Sequence, residues 1–414
     1  MRQSKNQRGL SLLLAVIIIF SGVLIPMPSI AKAASASSKI KVSDFIRIIV
    51  QATELEINDS KGSPYLKAAI AAGIVKTGDF KDYKAYLTRT DTAVILNRAD
   101  EYLYGDTVDS KLLKTVLEGR ISDINKITKS KRDAVAKVYA KGFMKGYSKG
   151  YYIKTREFRG NEYMTVAGAR GAVAMLKDVE KRAKISPDGQ IIRSTDLPKN
   201  AKDYEYILET YPNSFYEMKF MYQRAKFYFE PEELVDYAEP KNFRYIDNDM
   251  KEVLDNYQDI WIKRIIDNLE SRLNISYKSV DTNWINKLRS TYTIYGERDV
   301  ILDKRIIDDI KKYVKFVKKN DIVIQSSIVS VEPSTLYMFG AGYYVRTYVK
   351  FKLNYSGSNY SADDLLYGNK IWMPDLEKNT WYEGIYDIKL GTVNGSSDGR
   401  DYYVIDDSLQ VYTD

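Results

Sequence analysis

The chemistry open to this chain is bounded first by two absences, since its 414 residues include neither histidine nor cysteine. Histidine triads, HExxH zinc sites, thiol nucleophiles and a histidine pH switch are excluded, so catalysis would rest on carboxylates, Lys, Tyr or Ser. Three groupings stand out by residue type and spacing. In Thr88-Arg89-Thr90-Asp91 the Thr88 hydroxyl can accept the orphan amide three residues on, and a carboxylate falls in the first helical turn. An arginine fork beside helix N-terminal amides is also a good anion seat. The plainer alternative for the same residues is a solvated arginine and a simple cap. Asp247-x-Asp249-x-x-Glu252 clusters the oxygens a hard cation wants, but it lacks the glycine turn and alternating ligands of a calcium loop. Helix capping is expected there, and no metal. Tyr344, Arg346, Tyr348 and Lys350 alternate along one stretch and would suit a sugar or an acidic polymer. In a chain with 35 tyrosines the plainer expectation is an ordinary exposed strand face. No acidic motif marks a catalytic site, although a carboxylate pair for glycoside hydrolysis is set by the fold rather than by sequence spacing.

The elements that must position these residues are legible as periodicities. Leu66, Ala69, Ile70, Gly73 and Ile74 share a face of a short helix that Gly73 ends, and Ile95, Ala99, Tyr102 and Leu103 form the stripe of a helix capped at Thr88. Val42, Phe45, Ile46 and Ile49 give an earlier helical face, and Asp109 to Leu117 an extra short helix. Val135, Val138, Tyr139 and Gly142 give another, and Ala169, Ala172, Val173 and Leu176 a last one capped at Met164-Thr165. From Ile185 to Lys202 periodicity is lost and Pro, Gly, Ser and Asn gather, which places a domain boundary there. Beyond it, Met250, Val253, Leu254, Tyr257, Trp261, Ile265 and Leu269 recur at helical spacing, as do Ile306, Ile310, Tyr313, Val314 and Val317. The period then becomes two: Val345, Thr347, Val349, Phe351 and Leu353 predict a half-buried strand, with further strands at 322–331, 385–390 and 402–405. Asn394-Gly395 and Asp398-Gly399 mark the last hairpin. Helices followed by an antiparallel sheet make an α+β domain.

The first half of the chain resembles the S-layer homology (SLH) modules of Gram-positive cell-surface proteins. The residues that carry the resemblance are Tyr65-Leu66 with its Ala-rich helix, Gly73-Ile74-Val75 with Gly78, Phe80, and Leu87-Thr88-Arg89-Thr90-Asp91 in place of the family's I-T-R-A-E. The pattern recurs: Ile121-Ser122-Asp123-Ile124 parallels the family's F-x-D-V opening, Gly142-Phe143-Met144-Lys145-Gly146 parallels Gly73 to Lys76, and Phe158-Arg159-Gly160 its F-x-P. Thr165 is kept, while Val166 and Gly168 replace the arginine and the acid, and Lys41-Val42-Ser43-Asp44 stands as a worn copy without the arginine. About two and a half degenerate modules are counted, with an enlarged loop from Tyr147 to Glu162 in the last.

The resemblance implies an all-α helical bundle at 39–180, in which stacked modules bury faces that single modules cannot close. It also implies binding of a pyruvylated secondary cell-wall polysaccharide in the grooves. Arg89 would pair with the ketal carboxylate, Thr88 and Asp91 would set the helix start, and Gly73 and Gly78 would let the backbone come close. Asp123, Gly142, Gly146 and Thr165 hold the matching positions in the last module. The expected division is a signal peptide at 1–33, the SLH-like region at 39–180, a linker at 185–202 and an α+β domain of unknown role at 203–414.

Compartment follows from the first residues. Arg2, Lys5 and Arg8, an apolar run from Leu10 to Ile25 and the small-residue site Ala31-Lys32-Ala33 predict a secretory signal removed after Ala33, leaving a secreted wall protein with no membrane association. Its loss removes four basic residues and takes the net charge from +8 to about +4, too mild to argue for nucleic acid. No cofactor is expected, and nothing specifies an oligomeric state. The function expected is non-covalent wall attachment that presents a second, non-enzymatic module. The alternatives are a wall-associated hydrolase using carboxylates of that module, or a structural or interaction protein whose worn modules no longer bind polysaccharide.

Overall fold

The computed structural model describes residues 38–57, 62–218, 248–293, 300–339, 342–368, 376–391 and 403–411. The expected signal segment, Asn58-Asp59, Asp247 and the turns Asn394-Gly395 and Asp398-Gly399 lie outside the described residues, as do the side chains of Asp249, Met250, Glu252, Val253 and Leu254.

The N-terminal region is built from α1 (Val42–Ala52), α2 (Pro64–Ala71), α3 (Arg89–Tyr104), α4 (Ser110–Gly119), α5 (Lys129–Ala140) and α6 (Val166–Lys177), with a small hairpin of β1 (Tyr147–Ser148) and β2 (Arg156–Glu157). Three of these helices, α1, α3 and α6, begin after N-caps at Lys41, Thr88 and Thr165. The residues just before the caps are tied in a ring. The Leu87 amide donates to the Ile40 carbonyl (2.9 Å), Ile40 to Met164 (2.9 Å) and Met164 to Leu87 (2.8 Å). Three chain segments far apart in sequence therefore satisfy one another's backbone groups around a common centre, and the helices that follow share one core running from Ile40 to Ile191. Val42, Phe45, Ile46 and Ile49 of α1, Val135, Val138 and Tyr139 of α5, and Ala169, Ala172, Val173 and Leu176 of α6 are all buried, as their spacing requires. Other members of the expected stripes are not: Gly73 is exposed, Leu66 and Leu103 are half-buried, and two large side chains face solvent. Ile70 is 36% exposed on α2, whose main packing is along α1, and Tyr102 is 51% exposed on α3, which packs against α5 and α6.

The C-terminal region holds α7 (Asn213–Glu217), α8 (Asn248–Leu273), α9 (Thr282–Arg289), α10 (Val300–Lys319) and an antiparallel sheet. Its strands are β3 (Asn274–Ser276), β4 (Val323–Val331), β5 (Tyr337–Phe339), β6 (Gly342–Asn354), β7 (Trp381–Gly391) and β8 (Tyr403–Val411), in the order β3-β4-β6-β7-β8 with β5 beside β6. Val345, Val349, Phe351 and Leu353 on one face of β6 join Trp261, Ile265 and Leu269 of α8 and Ile306, Ile310 and Val317 of α10 in a single core.

The other face of β6 departs from expectation. Tyr344, Arg346 and Tyr348 are buried, so this is not an exposed strand face, and β6 is covered on both sides over Tyr343–Val349. The cover is the tyrosine-rich stretch Tyr204–Tyr216, which forms a third core with Tyr337, Tyr344 and Tyr348. The Arg346 guanidinium donates to the carbonyls of Phe215 (2.6 Å) and Met218 (3.2 Å), so it holds this stretch and does not face solvent.

The stretch around the expected boundary is folded against both regions. Arg120 donates to the Asp188 carbonyl (2.7 Å), Tyr139 to the Gly189 carbonyl (3.2 Å), and Ile192 pairs with Leu208 as an isolated bridge. From the helical side, Tyr152 in the enlarged loop stacks on Tyr348 with ring centroids 3.6 Å apart and planes 6° from parallel, and its amide donates to the Thr210 carbonyl (2.8 Å). Lys111 of α4 pairs with Asp259 of α8. The two departures from a regular repeat, the extra helix and the enlarged loop, thus both reach the second region.

Candidate functional site

The start of α3 is fixed by its own side chains. Thr88 accepts the Asp91 amide (3.1 Å) and donates its hydroxyl proton to the Asp91 carboxylate (2.7 Å), whose other oxygen meets Lys131 Nζ at 2.7 Å. Both residues are therefore spent on the helix start. Arg89, the first residue of the helix, is instead held from across the fold. Its amide donates to the Glu162 carbonyl (2.8 Å) and its Nε to the Phe158 carbonyl (2.9 Å), and the guanidinium lies 4.9 Å from the Tyr147 ring centroid and 5.2 Å from that of Phe158. Burial draws its pKa below the ordinary value, against the opposing pull of Tyr147 and Glu162, and an arginine so placed remains a cation.

Asp123 is what holds the loop that holds Arg89. Its carboxylate accepts the amides of Phe158 (2.7 Å) and Arg159 (2.8 Å). Asp123 thus reaches the guanidinium of Arg89 through Phe158, and it also lines a small cavity of about 300 Å³ with Lys126 and Glu162.

A larger cavity of about 810 Å³ opens beside Arg89. Of the residues expected to make the site, Arg89, Gly142 and Gly146 line it, while Thr88, Asp91, Asp123, Thr165, Gly73 and Gly78 do not. Gly142 follows α5 at φ +75°, and a side chain there would collide with the Ala183 backbone, its amide nitrogen lying 2.8 Å from where a Cβ would sit. Gly146, at φ +66°, faces the Glu157 carbonyl in the same way (2.8 Å). Both glycines permit backbone to lie on backbone and so shape the wall. Gly73 and Gly78 have open space around them, in a turn held by Asp79, which accepts the Lys76 amide (2.7 Å) and pairs with Arg98 (2.5 Å). Thr165 caps α6 by accepting the Gly168 amide (3.0 Å), and α6 then offers Gly168 and Gly171 to the cavity.

The rest of the lining was missed by motif reading. Lys145 and Tyr147 sit in and just after the Gly142–Gly146 segment, so the repeat itself was the signal that could have found them. Arg182 and Arg193 carry no such signal, because they come from chain beyond the last helix of the repeats. Arg182 is engaged: it donates to Asp100 (2.7 Å) and to the Met175 carbonyl (3.0 Å) and stacks on Phe143 at 4.0 Å. Six basic residues against three carboxylates line the cavity, an excess of cation that suits an anionic ligand. Among the described residues no group of acidic side chains is arranged to hold a metal ion, and no helix is long and apolar enough to cross a membrane.

A search of curated proteins finds no match to the chain. The model of the S-layer homology domain matches residues 120–165. That span covers Asp123, the Gly142–Gly146 segment, the enlarged loop and Thr165, whereas the Pro64–Tyr104 stretch with Arg89 falls outside the matched residues. Such a domain indicates association with the cell surface or cell wall. The chain is an S-layer homology domain-containing protein.

Proposed function

We propose that this protein is held non-covalently at the cell wall by a secondary cell-wall polysaccharide bound in the cavity beside Arg89, with a pyruvate-ketal carboxylate paired to that guanidinium. The observation that carries this is the position of Arg89. It is a cation fixed by Phe158 and Tyr147 in the lining of a cavity of about 810 Å³, which the Gly142–Tyr147 segment of the matched domain also lines. Charge-assisted pairing with a planar carboxylate is what a fixed guanidinium does best. Secretion by removal of residues 1–33 belongs to the same reading.

The test is retention on isolated wall sacculi before and after removal of the accessory polysaccharide. Arg89→Ala should lower retention about tenfold on intact sacculi, the loss of one charge-assisted pair. Equal recovery of the unaltered protein from stripped and intact sacculi would refute polysaccharide anchoring, and unchanged retention of the variant would move the site from Arg89.

We read the second region as a presented module without catalytic activity. In support, the carboxylates buried in its sheet are engaged in packing the junction: Glu332 with Ser334, Thr335 and Tyr216, and Asp387 with Tyr337 (2.5 Å). Turnover of polysaccharide or peptidoglycan by the purified protein would overturn this and restore the hydrolase reading.

A further inference from the structure

Arg193 stands apart among the cations of the cavity. Its Nε and Nη2 atoms are buried and have no hydrogen-bond partner, and its side chain is only 12% exposed. Among the described residues the carboxylate within 4 Å of it, Asp196, is 3.9 Å away and 86% exposed, too distant and too solvated to satisfy a guanidinium. Burying charged donors without acceptors is costly, and their persistence calls for a partner the protein alone does not provide. The backbone there is held independently of the side chain, by donation of the Arg193 amide to the Ile207 carbonyl (2.7 Å). Arg182, its neighbour in the same wall, is already paired with Asp100, and Glu209 is shared between Lys145 (3.8 Å) and Arg156 (3.6 Å).

We infer that Arg193 binds a second oxyanion of the glycan, on a sugar adjoining the one whose ketal carboxylate sits at Arg89. This rests on the anchoring reading above and extends it: the cavity takes a dianionic stretch of chain. Its volume of 810 Å³ lies in the upper part of the range of about 300–1,000 Å³ that encloses whole drug-sized ligands, room for more than one ring. The second oxyanion is a uronate carboxylate or a glycosyl phosphate, since a guanidinium pairs with either. Arg193 lies outside the matched residues 120–165, so this contact is supplied by chain that the domain model does not describe.

The experiment is isothermal titration of the whole protein, and of its Arg193→Ala, Arg193→Gln and Arg89→Ala variants, with three defined probes. These are a pyruvate-ketal methyl hexoside with a single carboxylate, and two ketal-capped disaccharides whose second sugar carries a carboxylate or a phosphate. The Arg193 variants should bind the single-carboxylate probe as the unaltered protein does and should lose about tenfold or more on one of the disaccharides, which identifies the second oxyanion. Arg89→Ala should lose on all three. Unchanged binding of both disaccharides by the Arg193 variants, or an equal loss on every probe, would overturn the assignment while leaving anchoring intact. Failure of the unaltered protein to bind any probe, together with equal recovery from stripped and intact sacculi, would sink the anchoring reading and this inference with it. Arg193→Gln keeps a donor of similar length, so a loss shared by both variants at unchanged melting temperature reports charge and not folding.

Discussion

Two glycines at matching places in successive repeats offer a comparison in which backbone conformation is held constant and only the surroundings differ. Gly73 follows α2 at φ +72° and Gly142 follows α5 at φ +75°, and both are left-handed turns that an L side chain adopts at a cost of about 1–2 kcal/mol. Around Gly73 nothing lies within 4 Å of where a Cβ would be, so Gly73→Ala should cost that amount and no more. At Gly142 the added carbon would press on the Ala183 amide nitrogen (2.8 Å) and carbonyl carbon (2.9 Å), and on its carbonyl oxygen more closely still. Backbone cannot rotate away as a side chain can. The Ala183 amide also donates to the Gly142 carbonyl (3.0 Å), so relief requires breaking that bond and moving the segment that carries Arg182 and Lys184 into the cavity wall. Overpacking of this kind adds about 1–3 kcal/mol, which puts Gly142→Ala at about 2–5 kcal/mol in all. Urea unfolding of the two variants gives the comparison, and amide exchange at Ala183 localises it: protection there should fall in Gly142→Ala and not in Gly73→Ala. Equal costs for the two substitutions, within about 0.5 kcal/mol, with Ala183 still protected, would show that the segment around Ala183 is not held against the turn and would refute the reasoning about the wall.

Two further outcomes follow from buried charge. Asp100 is fully buried between Lys141 (2.8 Å) and Arg182 (2.7 Å), so Asp100→Asn should destabilise by about 3–5 kcal/mol by leaving two cations poorly compensated, as read from thermal unfolding. Glu332 is buried where the tyrosine-rich stretch meets the sheet, and burial raises its pKa to about 7 from an ordinary 4.5, against hydrogen bonds from Ser334, Thr335 and Tyr216 that pull it down. A raised carboxyl favours the folded state while protonated; that stability is fully present below pH 4.5 and is lost as pH rises through about 7. The loss amounts to about 3 kcal/mol across the window. Glu332→Gln should therefore gain on the unaltered protein steadily between pH 4.5 and 7 and hold a constant lead above it; a stability difference that stays flat from pH 4 to 8 would contradict the raised value.

Local signals were enough for most of the elements. Thr88, Asp109 and Thr165 cap the helices that their spacing announces, because capping is a bond between residues three apart and needs nothing distant. The faces of α1, α5 and α6 and the period-two pattern of β6 were equally readable, since a stripe records which side must leave water. What periodicity cannot say is who arrives on the far side. Tyr344, Arg346 and Tyr348 alternate as an exposed face would, and only the arrival of Tyr204–Tyr216 and Tyr152 turns them into core.

The same division runs through the site. The sequence by itself determined that no histidine or cysteine chemistry is available, that Thr88, Arg89 and Asp91 stand at a helix start, and that a glycine-bounded segment recurs at 142–146, all matters of composition or of neighbours along the chain. Tertiary structure decided which of those residues share a cavity, that Asp123 serves Arg89 through the Phe158 loop, and that Arg182 and Arg193 complete the wall from beyond the repeats. Those relations join residues tens of positions apart, so they are created when backbone closes on backbone around the Ile40, Leu87 and Met164 ring, and no spacing along the chain encodes them.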